Sequence, residues 1–331
     1  MSVSGILLHF LPQFFYNQLF VTPPYPSTDC SGKTIIVTGA NTGLGKEAAR
    51  HFVRLNADKV ILGCRSLDKG TAARQDIEAT TNRRGIVEVW QLDLQDYESV
   101  KCFAEKAKSL ERLDSVVENA GIFTTTFRLA EGNESTITVN VVSTFLLALL
   151  LMPTLQQSAE KYDITPTLTI VSSELHFVTS FPESKSSSIF DSLNDEKTAR
   201  MADRYNVSKL IEVLSCRQIA QEHPVSQLKF TLNFVNPGWC HSDLGREHEN
   251  AAFLFMRKLL GRTTEVGSRT LVHAGLSGPQ THGKYLSDCK ITRCAPLVEG
   301  TKGPELQRQV WNQLAEKLNC IEPGITKVLD A

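Results

Sequence analysis

The stretch Lys33-Thr34-Ile35-Ile36-Val37-Thr38-Gly39-Ala40-Asn41-Thr42-Gly43-Leu44-Gly45 decides the fold. Its first six residues are largely β-branched and apolar and read as a buried strand. From Gly43 to Leu55, the side chains of Leu44, Ala48, Phe52 and Leu55 fall on one face of a helix. The loop between them carries glycines at 39, 43 and 45. Glycines let a backbone turn sharply and approach a pyrophosphate closely, and the amides that open the next helix then meet the phosphate charge. Glycine also makes ordinary turns, so the strand before and the helix after are what give the loop its meaning.

Outward from this unit the same cadence continues. Val60–Cys64 reads as a second strand, 66–80 as a helix, 86–93 as a strand, 96–109 as a helix and 114–117 as a fourth strand. A long apolar helix follows Asn133 and reaches about Gln157. Thr167–Val171 is the fifth strand, Tyr205–Glu222 a helix, Lys229–Val235 the sixth strand, and Lys284–Ser287 a short seventh. A tail helix over Pro304–Leu318 packs on the body. Strands alternating with helices imply an α/β fold, a Rossmann-type doubly wound parallel sheet with helices on both faces. No repeat and no Pro/Gly/Ser linker divides the body, so residues 30–331 read as one domain.

Composition narrows the function. The 331 residues carry 35 Lys plus Arg against 36 Asp plus Glu, a formal net charge of -1. That balance speaks against a nucleic-acid partner, which needs a basic face. With 41% hydrophobic and 21% charged residues the chain can bury a core. Its eight cysteines contain no C-x-x-C and mostly lie in apolar runs, which reads as a reducing, cytoplasmic setting with no metal site. Residues 1–29 form an apolar extension ending in Pro23-Pro24-Tyr25-Pro26. It lacks the basic start and small-residue cleavage site of a secretory signal, and polar residues interrupt it too often for a membrane span. The expectation is a helix packed on the body; the alternative is an interfacial helix that touches a membrane or covers a greasy substrate entrance.

The loop spacing T-G-x-x-x-G-x-G departs from the G-x-G-x-x-G of most dinucleotide domains. It resembles the short-chain dehydrogenase/reductase family, and the resemblance spans about residues 30–290. The second strand ends in Gly63-Cys64-Arg65-Ser66, with no acid for a ribose and one guanidinium. Arg65, with Lys69 nearby, suits a 2′-phosphate, so NADP(H) is expected rather than NAD(H). The resemblance makes Asp93, in Leu92-Asp93-Leu94, an adenine contact, and Asn119-Ala120-Gly121 the turn facing the cofactor. Glu118 stands where the family usually has asparagine, which puts the pinning of that turn in question.

Tyr205-Asn206-Val207-Ser208-Lys209 follows a strand ending in Ser172-Ser173. Residues four apart share a helical face, so Tyr205 and Lys209 can point at one ligand. A phenol with a pKa near ~10 is a poor base at neutral pH, and an adjacent ammonium favours the phenolate. The resemblance implies that Tyr205 is the acid–base, that Ser173 rather than Ser172 holds the substrate oxygen, and that Tyr205 and Lys209 also bind the cofactor, Lys209 at the nicotinamide ribose. It gives Asn140 a water that links Lys209 to solvent. In Asn236-Pro237-Gly238-Trp239-Cys240-His241-Ser242 it implies that Pro237, Gly238 and the backbone near Cys240 orient the carboxamide. Ser242 would contact the cofactor, and Cys240 and His241 are not read as a nucleophile.

The nearest look is to the retinol-dehydrogenase-like branch, in the form found in filamentous fungi and their natural-product pathways. The span from Ser173 to Tyr205 is longer than in compact members, which implies an inserted loop over about 174–204. With a second segment at 239–262 that includes Phe253, Leu254, Phe255 and Met256, this suggests a hydrophobic substrate pocket. The expected activity is interconversion of a ketone or aldehyde and an alcohol on a bulky lipophilic molecule, in fungal secondary metabolism. The expected partners are that small molecule, a homo-oligomeric copy and, through the N-terminal segment, a membrane surface. The rival readings are a non-redox isomerase or cyclase on the same scaffold, and a cofactor-sensing module without turnover.

Overall fold

The computed structural model describes residues 3–241, 244 and 251–330, with side chains from residue 11 onward except those of 251–255. Helix α1 (Val3–Phe20) precedes β1 (Thr34–Thr38), α2 (Gly43–Arg54), β2 (Lys59–Cys64), α3 (Leu67–Thr81), β3 (Val87–Gln91), α4 (Tyr97–Ala107) and β4 (Ser115–Glu118). A small hairpin, β5 (Leu129–Ala130) and β6 (Asn133–Glu134), leads into α5 (Ser135–Ile137), a π-helical stretch (Thr138–Ser143) and α6 (Thr144–Tyr162). Then come β7 (Thr167–Val171), α7 (Ile189–Asn194), α8 (Met201–Glu222), α9 (Val225–Leu228) and β8 (Thr231–Asn236). The chain closes with α10 (Ala251–Leu260), α11 (Thr264–Gly275), β9 (Tyr285–Ser287), β10 (Lys290–Thr292), α12 (Pro296–Glu299) and α13 (Gly303–Ile321).

The strands form one sheet in the order β10-β9-β8-β7-β4-β1-β2-β3, parallel except where β10 pairs with β9. Ile36 lies opposite Ile61 on one side and Val116 on the other. Both faces of the central strands are covered, which is why β4, β7 and β8 are buried along their whole length. On one face Phe103, Phe145, Leu210 and Trp311 bring α4, α6, α8 and α13 together. On the other, Phe52, Ile77 and Leu271 join α2, α3 and α11. Helix starts are set locally: Ser66 accepts a bond from the Lys69 amide, and Asp96 from Glu98 and Ser99. Chain progression reverses between β1 and β4, so a crevice opens outside the carboxyl ends of those strands.

The departures from expectation have physical reasons. The apolar helix runs to Tyr162; over Ser135–Tyr162 it is long and apolar enough to cross a membrane, yet its most apolar 18-residue stretch is 94% buried in the core. Strands β5, β6 and β10 are two or three residues long, too short to show a period in the sequence. The segment 174–204 lines the crevice only through Glu174 and Leu175. Its apolar residues Phe181, Ile189, Phe190 and Leu193 are buried in the core instead, and the Ile189 amide donates to Gln313 Oε1 on α13 at 2.7 Å. Those side chains lose more water-exposed area under α13 than they would over an open crevice.

Candidate active site

The floor of the crevice is built where β1 turns into α2. Gly39 and Gly43 hold φ of +64° and +60°, which L side chains rarely adopt. A Cβ on Gly43 would meet nothing within 4 Å, so the backbone there is open to a ligand. Gly45 does a different job: a Cβ on it would come 2.5 Å from Asn119 Nδ2 and 2.7 Å from the Gly39 carbonyl oxygen. The first turn of α2 holds no acid. Asn41, Thr42 and Leu44 complete a loop whose open backbone and helix N-terminus fit a phosphate-bearing dinucleotide.

The β4 turn is stitched to this loop. Asn119 Nδ2 donates to the Thr38 carbonyl at 2.9 Å, and Thr38 Oγ1 accepts from the amides of Asn119 and Ala120 at 3.0 and 2.9 Å. Thr38, not Glu118, therefore pins the turn. Arg65 and Lys69 are exposed at the end of β2 and the start of α3. Asp93 accepts from the Gln95 amide at 3.0 Å, while the buried Leu94 offers its carbonyl to Ser143 at 2.6 Å. None of these four lines the cavity that holds Tyr205.

Tyr205, Lys209 and Ser173 come together at the deep end of a cavity of about 350 Å³. Phe123 stacks on the Tyr205 ring with centroids 4.6 Å apart, and Ser173, whose hydroxyl accepts from the Leu175 amide at 3.1 Å, lines the same cavity. Ser172 turns away and donates to the Lys209 carbonyl at 3.2 Å. Lys209 Nζ sits 5.6 Å from the Tyr205 ring centre and donates to the Val171 carbonyl and to Glu212 Oε1, both at 2.8 Å. Burial raises the Tyr205 pKa, and Lys209 offsets part of that rise. Asn140 lies on the π-helical stretch. Its amide donates to the Ile122 carbonyl at 2.9 Å and to Ser208 at 3.0 Å, and accepts from the Ile122 amide at 2.8 Å. It braces the β4 turn against α8, with its side-chain groups engaged on protein partners.

Two buried carboxyls behind Lys209 went unread or half-read in the sequence. Burial pushes Glu212 up to about 7 against the pull of Lys209. Glu118 is held well above the usual carboxylate range by burial and then by Glu212, and neither of its oxygens has a hydrogen-bond partner among the described residues. A lone acid within Leu210-Ile211-Glu212-Val213-Leu214 was the available signal. Glu174 lines the cavity and is pushed up to about 7 by burial and by Asp288; Asn236 Nδ2 donates to it at 3.4 Å.

Pro237, Gly238, Trp239 and Cys240 edge the cavity, as do Leu11 and Phe14 of α1. Burial pushes the Cys240 thiol up to about 12, which removes it as a nucleophile at neutral pH. Ser242 and the side chains of Phe253, Leu254 and Phe255 lie outside the described residues. Leu175, Trp239, Leu244 and Phe123 make the remaining wall largely apolar.

Residues 33–165 match the family model described as short chain dehydrogenase. The chain is 51% identical over 319 residues to "Short chain dehydrogenase/reductase dmxR8" of Cryptosporiopsis sp. (strain 8999), which covers 95% of this chain and 98% of that one. It is 42% identical over 325 residues to "Short-chain dehydrogenase anuD" of Penicillium roqueforti, covering 96% and 85%. Among solved structures, NADPH-bound carbonyl reductase from chicken fatty liver aligns with a TM-score of 0.58 at 20% identity, over 80% of this chain and 100% of that one. A short chain dehydrogenase from Shigella flexneri complexed with NADP aligns with a TM-score of 0.59 at 22% identity, over 80% and 100%. At such identity these two speak to the fold alone.

Proposed function

The chain belongs to the short-chain dehydrogenase/reductase family and is an oxidoreductase, and on that premise we propose an NADP(H)-dependent enzyme that interconverts a ketone or aldehyde and an alcohol on a bulky lipophilic molecule. One observation carries the reading: Tyr205, Ser173 and Lys209 line one largely apolar cavity, with Lys209 Nζ 5.6 Å from the Tyr205 ring centre. The nicotinamide, when bound, supplies the hydride acceptor or donor. Ser173 holds the substrate oxygen by a hydrogen bond. In the reducing direction Tyr205 gives its phenolic proton to that oxygen as charge builds there, and in the oxidising direction it takes the alcohol proton. The Lys209 ammonium lowers the cost of the phenolate, and its own position is fixed by Val171 and Glu212.

Arg65 and Lys69 support the choice of NADP(H): both are exposed at the strand end, and no described residue forms a salt bridge with Arg65. The kinship with short chain dehydrogenases of several fungi supports a role in fungal secondary metabolism. The test begins with titration of the purified protein by NADPH and NADH, followed by nicotinamide fluorescence, and continues with reduction of a bulky ketone such as 1-decalone. Tighter binding of NADPH and measurable ketone reduction are expected. Preference for NADH overturns the Arg65 assignment alone, whereas failure to bind either cofactor overturns the reaction.

A further inference from the structure

We propose that α1 is a built-in wall of the substrate pocket, with Phe14 as a specificity-determining residue and Gln18 as the positioning residue that fastens the helix to the Pro237–Trp239 turn. The inference rests on the reading of the cavity as the substrate site. It starts from where α1 lies: Leu11 and Phe14 line the same cavity as Tyr205 and Ser173, and the Phe14 ring centre is 6.3 Å from that of Trp239.

The fastening is specific. Gln18 Nε2 donates to the carbonyls of Trp239 and Leu260, each at 2.9 Å, and Gln18 Oε1 accepts from the Trp239 amide at 3.2 Å. One side-chain amide thus meets both backbone groups of Trp239, whose carbonyl also accepts from the Arg262 amide at 2.8 Å, and a helix resting on an apolar surface has no need of such bonds. A Cβ on Gly238 would come 2.8 Å from Gln18 Oε1 and 2.8 Å from Arg262 Nη1, so the turn is shaped around the helix.

The body is also prepared for the helix from the other side. Arg262, only 7% exposed, donates through Nη2 to the carbonyls of Asn17 and Val21 at 2.8 and 3.0 Å. Its Nη1 pairs with the buried Asp288 at 2.6 Å. A cation at a helix C-terminus is attracted by the carbonyls of the last turn, here that of Asn17, which also accepts from the Val21 amide at 3.2 Å. With α1 in place the carbonyls of Asn17 and Val21, and not water, take the Nη2 donors, so a charged group bonds the helix to the body. Buried charge spent on receiving a terminal helix marks that helix as part of the working molecule.

Three measurements on the full chain test this: binding of the lipophilic probe 1-anilinonaphthalene-8-sulfonate, kinetics with bulky 1-decalone and small cyclohexanone, and chymotryptic nicking within 11–20. Phe14→Ala is expected to weaken probe binding and to lower kcat/KM for 1-decalone about tenfold, through KM, the scale of losing good apolar contact with one ring. Cyclohexanone should change less than twofold. Gln18→Leu should give the same bulky-substrate loss and speed nicking of α1 about tenfold, with the thermal midpoint of the body unchanged. Equal losses on both ketones, or unchanged probe affinity in Phe14→Ala, overturn the inference. A wild-type chain that reduces neither ketone while Phe14→Ala still weakens probe binding leaves the wall standing and overturns the proposed reaction instead.

Discussion

The two walls of the cavity are made in opposite ways. The wall formed by the β1–α2 loop and the β4 turn is held by backbone bonds and by Thr38 and Asn119, on neighbouring strands of one sheet. The opposite wall joins Leu11 and Phe14 to Trp239 and Leu244, over two hundred positions away in the chain, through Gln18 and the buried Arg262. The first wall is close-packed where Gly39 and Gly45 leave no room for a side chain; the second is a docked helix with an exposed outer surface that includes Tyr16, Leu19 and Phe20. Cofactor recognition asks for one geometry, and substrate recognition asks for a surface that can differ while the sheet stays the same.

Five substitutions separate the walls from the chemistry between them. The largest effect is expected from Tyr205→Phe. Loss of the general acid–base should cut turnover about 10²–10⁴-fold while nicotinamide affinity measured by fluorescence stays within about twofold. A comparable loss of affinity would mean that Tyr205 belongs to the cofactor wall and not to the chemistry. Next comes Arg65→Gln, which should weaken NADPH about ten- to a hundredfold in the same titration, the range of one charge-assisted hydrogen bond, and leave NADH unchanged.

Gly45→Ala probes the rigid wall directly. The added methyl meets Asn119 and the Gly39 carbonyl at well under contact distance, so unfolding in urea should show a loss of about 1–3 kcal/mol. Gly43→Ala meets open space and should cost less, from its backbone conformation alone. If the two were equal, the division of labour between these glycines would be wrong. The smallest effect belongs to Glu118→Gln. Burial and Glu212 raise the Glu118 pKa in the folded state, so the folded chain binds the extra proton more tightly than the unfolded one. Its contribution to stability is therefore full below the unfolded carboxylate pKa and is lost as pH rises through the folded value. Glutamine cannot ionise, so the variant should gain on the parent as pH rises from 5 to 9 in parallel denaturation series. A constant difference across that range would show that Glu118 carries no such proton.

The sequence alone determined the sheet, the glycine loop and the shared helical face of Tyr205 and Lys209. Each of these is written in short-range spacing: a period of two or 3.6, a turn residue, or a pair one helical turn apart. Three things waited for tertiary structure. The insert 174–204, expected over the cavity, mostly feeds the core beneath α13, because apolar residues go wherever the most area can be buried and composition does not name the partner. The pinning of the β4 turn passed to Thr38, since a hydroxyl on β1 and two amides just past β4 become neighbours only in the sheet. The position of α1 was decided by Arg262, Asp288 and Gln18, three residues brought together from 18, 262 and 288. A contact across that separation leaves no period in the chain, because what selects it is the need of buried polar groups for partners once the fold has closed.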